Sequence, residues 1–549
     1  MQSITQAFAK AAVCAVLVYS LHARVAGGGL ASGMDARHWQ LFIDDFAVAR
    51  ATGLDLVVHH PRPMGVVIPA DKPWETCDVS PDFVARRNDG SFVAIYGARW
   101  WTPDPQSTRQ RDRAQQYTSL PAYAVSKDGI HWEKPVLRLV EGPAGIDWNA
   151  LPPLPTPRGS STENNLGVPF AISDLGLYGN VDDPARRYLL NTDGRLYFAR
   201  EIPDFRNDPG WHEKLMASDG QGSRRNAVQF WDNLHAEWVG ISQGVTPYWI
   251  PSRDVARFGS KDMKTWTSDT AMYPDPADSH TPQCYDEPMG VRPFCAEGVV
   301  FGLLSWFHSD RTNPDGGPVW EKTPERPYVW PWARKGSNEM RITISRDGGK
   351  SWDRASSREA WIPHGTEEDS YDRMVIGILP PVWVGDEDWF YASVWNGDHL
   401  STRANARQNT YYHDRVRKGQ IALFVQKHNR YVSLRARTQQ ETLITRPFAV
   451  EGDTLELNVD ATRGEVAVAI APYEPVRTLN DTVLTTAPHV MERNLVPGFT
   501  FADCEPILVN SVAHTVKFKG GSSLGSLKGR KVLLFIRMVD ADLYGFRVK

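Results

Sequence analysis

Hydrophobic and polar positions along the chain rarely follow the helical period, and short apolar runs separated by polar turns dominate instead. One phrase of this kind, a polar turn followed by a run rich in β-branched and aromatic residues, occurs five times. The copies are Arg87–Trp100, Asp182–Gly194, Phe230–Gln243, Phe294–His308 and Val382–His399. Together with 43 glycines and 39 prolines, these runs predict an all-β chain.

A shorter phrase, in which Ser, one spacer and Asp lead through a turn to Trp, recurs three times. The copies are SKDGIHW at Ser126–Trp132, SKDMKTW at Ser260–Trp266 and SRDGGKSW at Ser345–Trp352. Each follows a strand-like run and indicates a hairpin corner, in which the Asp accepts turn amides and the Trp folds back between neighbouring strands. We therefore expect Asp128, Asp262 and Asp347 to be structural, and the repetition indicates an internal repeat of β units.

The repeated units predict a five-bladed β-propeller, in which sheets surround a common axis. The blades are expected near 78–134, 160–215, 225–266, 284–352 and 370–430. After about residue 430 the corner phrase is absent, and GDTLELNVDATRGEVAVAIAP alternates apolar and polar residues at period two. The predicted domains are therefore a propeller over 37–430 and a β-sandwich over 431–549.

Composition narrows the classes of partner. The chain has 549 residues, of which 41% are hydrophobic and 23% charged, as expected for packed domains. A formal net charge of −4 gives no basic footprint for a nucleic acid. The 20 Trp, 18 Tyr and 21 Phe residues indicate either a repeated packing unit or an aromatic-lined ligand site.

The N-terminus has the proportions of a signal peptide, predicted over residues 1–26. Lys10 precedes an apolar run at 11–21 that is too short to span a bilayer. A signal anchor or a poorly ordered start is the alternative, and export predicts a secreted or periplasmic protein. No other stretch approaches the roughly 18 apolar residues of a membrane helix. In an oxidising compartment, Cys284 and Cys295 form either one disulfide or two buried thiols.

Acidic residues stand at the start of most predicted blades, where a propeller would direct them to its axis. The candidates are Asp78 and Asp82; Glu163 with Asn164 and Asn165; Asp219 and Asp232; Asp286 and Glu287 with Arg292; Asp369 and Asp372 with Arg373. Glycoside hydrolysis needs two carboxyl groups, one protonated and one ionised. Any one of these acids, taken alone, is equally well explained as a turn cap.

Two of these stretches resemble the five-bladed propeller hydrolases of glycoside hydrolase families 32 and 43. Asp82 lies eight residues before Gly90, and Glu287 directly precedes Pro288. The resemblance implies that Asp82 is the base or nucleophile and Glu287 the general acid, while Asp286 or Glu163 tunes that acid or binds sugar hydroxyls. The Asn-Asp-Pro-Asn start of family 32 is missing, and so is a clear Arg-Asp-Pro in the second blade. Glu287 also falls in the fourth predicted blade, where the family has its acid in the third.

The wider chain is similar to a group of uncharacterised bacterial exported proteins that are labelled family-32-like at their N-terminal domain. The matching phrases are LFIDDFAVAR, DKPWE, ENN, SRDGGKSWDR, WNGDH and DADLYGFRV. They cover nearly the whole mature chain and support the predicted architecture. Because that group is defined by sequence alone, the similarity does not identify a substrate.

Further side chains are predicted to bind substrate. They are Glu163, Asn165, Arg292, Asp372, Arg373, Trp100, Trp395 and His399. Arginines at such positions bind an anionic group, such as a uronate or a sulfate, or else form structural ion pairs. The tryptophans, with Trp74 and Trp101, either stack on sugar faces or pack between blades.

The leading hypothesis is a secreted glycosidase that acts on a plant or algal oligosaccharide or polysaccharide. A carbohydrate-binding propeller without catalysis is the first alternative. A sialidase is the second, and it would need an arginine triad with a Tyr/Glu pair. No nucleophile-elbow, P-loop or zinc motif occurs. No cofactor or metal is therefore predicted, although a structural calcium in the channel stays open because some related propellers hold one.

Overall fold

The computed structural model describes the following residues: 33–72, 75, 78–102, 116–137, 170–192, 195–202, 216–221, 228–244, 254–272, 286–310, 335–354, 358–367, 370–397, 419–473, 476–477, 483–484 and 494–549. The predicted signal peptide lies outside them. Strands dominate the described part, which contains one α-helix, α1 (Leu175–Tyr178), and short 3-10 helices at Pro184–Arg186, Lys519–Gly521 and Leu524–Leu527. None of these helices is long and apolar enough to cross a membrane. The predicted all-β fold class is confirmed.

The chain forms two compact units. The larger comprises 38–44 and 58–432, and the smaller comprises 45–57 and 433–549 with the described residues before His38. Four strands precede the first repeated unit: β1 (Gln40–Leu41), β2 (Val48–Thr52), β3 (Asp55–Val58) and β4 (Arg62–Ile68). Residues 45–57 thus join the C-terminal segment in one unit, although they lie some 380 residues away along the chain.

Five groups of antiparallel strands, called sheets here, follow in the described part of the larger unit. The first contains β5 (Asp78–Arg86), β6 (Phe92–Thr102), β7 (Gln116–Ser126) and β8 (Trp132–Glu133). The second contains β9 (Phe170–Asp174), β10 (Tyr188–Thr192), β11 (Arg195–Ala199) and β12 (Met216–Gln221). The third contains β13 (Phe230–Asp232), β14 (Glu237–Gln243), β15 (Val255–Ser260) and β16 (Thr267–Met272). The fourth contains β17 (Asp286–Ala296), β18 (Val299–Asp310) and β19 (Lys335–Ser345). The fifth contains β20 (Met374–Ile378), β21 (Val382–Val384), β22 (Glu387–Trp395) and β23 (Gly419–Lys427). One parallel bridge between β5 and β23 joins the first sheet to the fifth.

Each sheet packs on the next, and the fifth packs on the first. Aromatic pairs mark three of these interfaces. An apolar cluster lies between the third and fourth sheets. At the interface of the fourth and fifth sheets, β19 contacts β20. The pairs are Phe83–Tyr188 between the first and second sheets, Phe198–Trp238 between the second and third, and Phe92–Trp389 between the first and fifth. This closed order is that of a propeller. The blade count of the complete chain stays a prediction.

The outer strand of the fifth sheet is β4, which comes from the start of the larger unit along the chain. β4 pairs antiparallel with β23, through partners such as Ile68 and Ile421. The side chains of Val67 and Ile68 are buried in the core between the fifth and first sheets. The chain therefore closes the ring by joining a segment that precedes the first sheet to the last one.

The three hairpin corners are structural, as predicted. The Asp128 carboxylate accepts the amides of Ile130 and His131 at 2.9 and 2.8 Å. The His131 amide makes the largest contribution to holding the pKa of Asp128 far below its usual value. At the second corner, hydrogen bonds from the Thr265 and Lys264 amides lower the pKa of Asp262 to about 2. Both carboxylates are thus committed to their own turns.

The corner tryptophans pack between neighbouring sheets, whereas the sequence predicted that they fold back between neighbouring strands. Trp132 packs against the core between the first and fifth sheets, and its ring meets Tyr391 edge-on at 5.8 Å. Trp266 packs against the core between the second and third sheets, and Trp352 is buried between the third and fourth. Each indole therefore joins its own sheet to the preceding one.

The smaller unit contains two larger sheets and a short pair. Its remaining strands are β24 (Val432–Ala436), β25 (Glu441–Thr445), β26 (Phe448–Ala449), β27 (Leu455–Asp460), β28 (Glu465–Pro472), β29 (Val476–Arg477), β30 (Val483–Leu484), β31 (Asn510–Thr515), β32 (Lys531–Val539) and β33 (Ala541–Val548). One sheet has the order β3-β24-β33-β27-β31, and the other has β2-β25-β32-β26 with β28 on β32. Phe448 of one sheet packs on Phe546 of the other at 5.6 Å.

Candidate active site

A small pocket lies where all five sheets meet. Every sheet or its adjoining loop lines it, with Asp82–Val84, Ile172–Asp174, Gln229, Arg292–Pro293 and Leu379–Pro380. Its volume is about 40 Å³, which is room for a water molecule. Ligand pockets are typically about 300–1,000 Å³, so this pocket is too small for a sugar ring.

The inner strands run in one direction, which defines two ends of the ring. The last residues of β5 and β9, together with Val382 and Trp383 after β20, line a second cavity. Phe294, near the end of β17, meets Tyr178 of that cavity at 6.2 Å between rings. We call this the lower end, and the upper end is where β5, β9, β17 and β20 begin.

Asp78 and Trp395 meet at the upper end. Asp78 is the first residue of β5 and pairs with Gly419, which in turn pairs with Trp395. A Cβ placed on Gly419 would lie 2.4 Å from Asp78 Cβ and 2.7 Å from Trp395 Nε1. The absent side chain of Gly419 therefore leaves room for Asp78 Cβ and the Trp395 indole to lie close to each other. Trp395 Nε1 donates to the Ser393 hydroxyl at 3.1 Å, and its role in sugar stacking stays a prediction.

Two more buried acids begin β17. Asp286 is 2% exposed and Glu287 is completely buried. His308 Nδ1 lies 3.1 Å from Asp286, and His308 Nε2 lies 3.0 Å from Glu339. Arg341 Nε donates to the other oxygen of Glu339 at 2.7 Å. Asp286 thus belongs to a network of alternating charges, which fixes its carboxylate in one position.

His308 is the titrating member of this network. Burial acts to lower the pKa of His308, but the hydrogen bonds to Asp286 and Glu339 outweigh it and raise the pKa to about 9. A raised pKa stabilises the fold below the unfolded value of about 6.5, and this stabilisation is lost as pH rises through 9. The loss is expected to be on the order of 3 kcal/mol.

Thermal unfolding of the parent and of His308→Gln between pH 6 and pH 10 measures this effect. The parent should lose stability across that range, and the difference between the two proteins should shrink as pH rises. Parallel pH profiles in the two proteins would show that His308 does not titrate with the network.

Asp82, the predicted base, lies deeper than Glu287. Each of three inner strands carries one extra residue in a β-bulge: Asp82 in β5, Met289 in β17 and Ile376 in β20. Glu287 precedes its bulge by two residues, whereas Asp82 is the bulge itself. At roughly 3.3 Å per residue, the two acids are offset by about 7 Å along the axis. Asp82 lines the small pocket where the five sheets meet, which we call the hub pocket. Glu287 is not among the described residues that line it.

Arg292 lines the hub pocket and binds the backbone of the first sheet there. Its Nη2 donates to the backbone oxygen of Asp82 at 3.0 Å, which is a structural contact. Burial lowers the pKa of Arg292, and the nearby Asp82 carboxylate opposes that shift. The structure therefore favours the structural alternative for Arg292 over the binding of an anionic substrate group.

The other predicted residues lie as follows. Asp372 accepts the Ser370 hydroxyl, and Arg373 donates to the backbone oxygen of Gly365 at 3.2 Å, just before β20 at the upper end. Trp100 lies in β6 opposite Thr118. Glu163, Asn165 and His399 lie outside the described residues, as do Trp74, Cys284 and Asp369. Cys295 is a buried free thiol, so the disulfide alternative is not the one that the structure adopts.

One group of side chains in the described part has the spacing of cation ligands. Asp232, His235 and Glu237 bring their ligand atoms within 4.8 Å of one another. Arg257, however, contacts both Asp232 and Glu237 at 2.8 Å. Because a guanidinium already pairs with both carboxylates, the cluster is an ion-pair network, and a structural calcium in the channel stays an open alternative.

Sequence reasoning missed His308 and Glu339. Both lie near strand ends, in SWFHSD and GSNEMR, but their proximity depends on the pairing of β18 with β19. The register is set by the length of the connection between these strands and by packing, which the local pattern does not reveal. A polar His and Glu in otherwise apolar strands was the one available signal.

Comparisons with known proteins give solved structures alone. No family model matches the chain, and no curated protein matches it. A β-1,2-mannobiose phosphorylase from Listeria innocua is similar over 71% of this chain and 96% of its own, with 10% identity and a TM-score of 0.32. A glycosyl hydrolase from Bacteroides ovatus is similar over 68% and 94%, with 13% identity and a TM-score of 0.33. A structure from the GH130 family of mannoside phosphorylases and glycoside hydrolases covers 70% and 95%, with 14% identity and a TM-score of 0.29.

These likenesses are low in sequence and in structure, so the proposals below rest on the chain's own residues. The resemblance to families 32 and 43 stays a prediction.

Proposed function

We propose that the larger unit is a glycoside hydrolase that binds carbohydrate at its upper end. The observation that carries this proposal is the approach of Asp78 and Trp395 over Gly419, at the end where Asp286 and Glu287 are also buried. Burying carboxyl groups is unfavourable unless partners or function compensate for it. One acid near an aromatic ring, with two more buried acids at the same end, fits the needs of sugar binding and of acid–base chemistry.

Glu287 is the proposed general acid. It is completely buried at the start of β17, and a carboxyl in this role must hold a proton for the leaving oxygen. The second carboxyl must be ionised and within reach of the same glycosidic bond. Asp78 meets this need better than Asp82, because it begins its strand at the same end as Glu287, whereas Asp82 faces a pocket the size of one water molecule.

The remaining roles follow from position. Trp395 would stack on a sugar face, and Asp286, oriented by His308, would accept a hydrogen bond from a sugar hydroxyl. Asp372 and Arg373 lie at the same end and would contact a neighbouring sugar unit. We also propose that a signal peptide at 1–26 directs export of the protein. A domain boundary at residue 430 is proposed as well.

The test is a screen of the purified full-length protein on aryl glycosides and on plant and algal polysaccharides. We expect release of sugar from at least one substrate. Gly419→Ala should lose most of that turnover, because its added carbon would crowd Asp78 and Trp395. Gly377→Ala, where no atom lies within 4 Å of the added carbon and the backbone is outside the left-handed region, is the control and should retain turnover.

Two outcomes would overturn the proposal. Carbohydrate binding without turnover on any substrate would show the non-catalytic alternative. Full turnover in Gly419→Ala would place the reaction away from Asp78 and Trp395.

A further inference from the structure

The second cavity lies at the lower end, and the proposed hydrolytic site at the upper end does not use it. Its volume is about 330 Å³, which is within the range of small-ligand pockets. The first, second and fifth sheets all contribute to its walls. The side chains that matter here are Arg86, Arg87, Asp174, Tyr178, Arg187 and Trp383.

Three arginines and one aspartate line this cavity among the described residues. Arg87 Nη2 donates to the Tyr123 hydroxyl at 2.9 Å, and Arg86 Nε donates to the Gly90 oxygen at 3.5 Å. Arg187 Nη2 lies 3.5 Å from Asp174. Each guanidinium carries five N–H donors, so most of its donors have no partner among the described residues and remain for a ligand.

Asp174 does not neutralise this positive charge. Its Oδ1 accepts the backbone amide of Leu177 at 2.8 Å, as the cap of α1. Burial raises the pKa of Asp174, against the hydrogen bond from Leu177 and the charge of Arg187. The cavity keeps an excess of at least two positive charges, which favours an anion.

An exposed aromatic surface lies beside these arginines. Trp383 is 37% exposed in the middle of β21, and its ring meets Tyr178 edge-on at 5.8 Å. Leu177, also 37% exposed, lines the same cavity. An open indole beside guanidinium groups fits a ligand with both a flat apolar face and an anionic group.

We propose that this cavity binds an acidic sugar unit, with its carboxylate or sulfate on the arginines and its ring against Trp383. The site is distinct from the upper end, and its occupation does not depend on turnover there. Arg86 and Arg87 come from the first sheet and Arg187 from the second, so the anion would bridge two neighbouring sheets.

Binding is measured by calorimetry with glucuronate, glucose 6-sulfate, glucose and inorganic sulfate. Glucuronate or glucose 6-sulfate should bind at least 10-fold more tightly than both glucose and inorganic sulfate. Arg187→Gln and Trp383→Ala should each weaken that binding about 10-fold, which is the loss of one charge-assisted or aromatic contact. Arg186→Gln is the matched control, because this exposed neighbour does not line the cavity and should bind as the parent does.

The two sites are separated by a second pair of variants. Glu287→Gln and Trp395→Ala alter the upper end and should leave this binding unchanged, whether or not the protein is a hydrolase. Loss of binding in Trp395→Ala with retention in Arg187→Gln would overturn the proposal. Equal affinity for glucose and glucuronate, or for inorganic sulfate and the sulfated sugar, would overturn it as well. Far-ultraviolet circular dichroism checks that each variant is folded.

Discussion

Glu287→Gln is expected to lower kcat on an unactivated glycoside by about 10²–10⁴-fold, because the amide has nearly the same shape but no proton to donate to the leaving group. Glu287 is completely buried, so the conservative change tests chemistry with little change in packing. The loss should be much smaller on an aryl glycoside with a dinitrophenolate leaving group, which departs without protonation. Steady-state kcat and KM on both substrates measure this difference.

A purely structural role for Glu287 would lower turnover equally on both substrates. That result would exclude Glu287 as the acid while leaving the hydrolase proposal standing.

The second carboxyl is tested in the same assay. Asp78→Asn should be slow with either leaving group, because the ionised carboxylate acts whichever group departs. Asp82→Asn should retain more turnover, since Asp82 lies about 7 Å deeper along the axis and lines a water-sized pocket. A severe loss in Asp82→Asn with near-normal turnover in Asp78→Asn would restore the assignment that the family resemblance implies.

Local patterns predicted the fold well where interactions are local. The corner phrases bind their own amides within a few residues, so Asp128 could be recognised as structural before any tertiary contact was known. The strand-rich runs likewise became sheets near the predicted positions, for example β13–β16 within 230–272. Such features depend on turn chemistry and side-chain alternation, which the sequence carries directly.

Long-range pairings were not predictable in the same way. β4 belongs to the fifth sheet, and 45–57 belongs with the C-terminal segment, because pairing depends on which edges remain open after the rest has folded. The depth of a side chain along the axis was also hidden. A single bulge at Asp82 shifts every later residue of β5 by one position relative to β6.

The same distinction holds for the candidate site. Trp395 and Asp286 were recognisable from residue type and position in the repeat, but their neighbours were not. Gly419 lies over 300 residues from Asp78 along the chain, and the approach that it permits depends on a single bridge between two strands. His308 reaches Asp286 and Glu339 through the register of three strands.

Arg257→Met is expected to lower the free energy of unfolding of the larger unit by about 3–5 kcal/mol, the usual effect of removing one partner from a buried ion pair. Arg257 is buried and contacts Asp232 and Glu237 at 2.8 Å each. Its Nε also donates to the backbone oxygen of Gly348 at 2.8 Å, so it joins the third sheet to the corner of the fourth. In the variant, Asp232 would keep its contact with His235. Glu237 would lose its contact with the Arg257 guanidinium.

Urea unfolding of Arg257→Met and Lys427→Met measures this difference. Lys427 forms an exposed pair with Asp386 at 2.7 Å, and its loss should cost about 0–1 kcal/mol. Equal midpoints for the two variants would mean that the third and fourth sheets are held together by the apolar core around Trp306 and not by this ion-pair network. A lower midpoint confined to Arg257→Met would show that a buried charge cluster, which resembles a cation site in its spacing, joins neighbouring sheets of the ring.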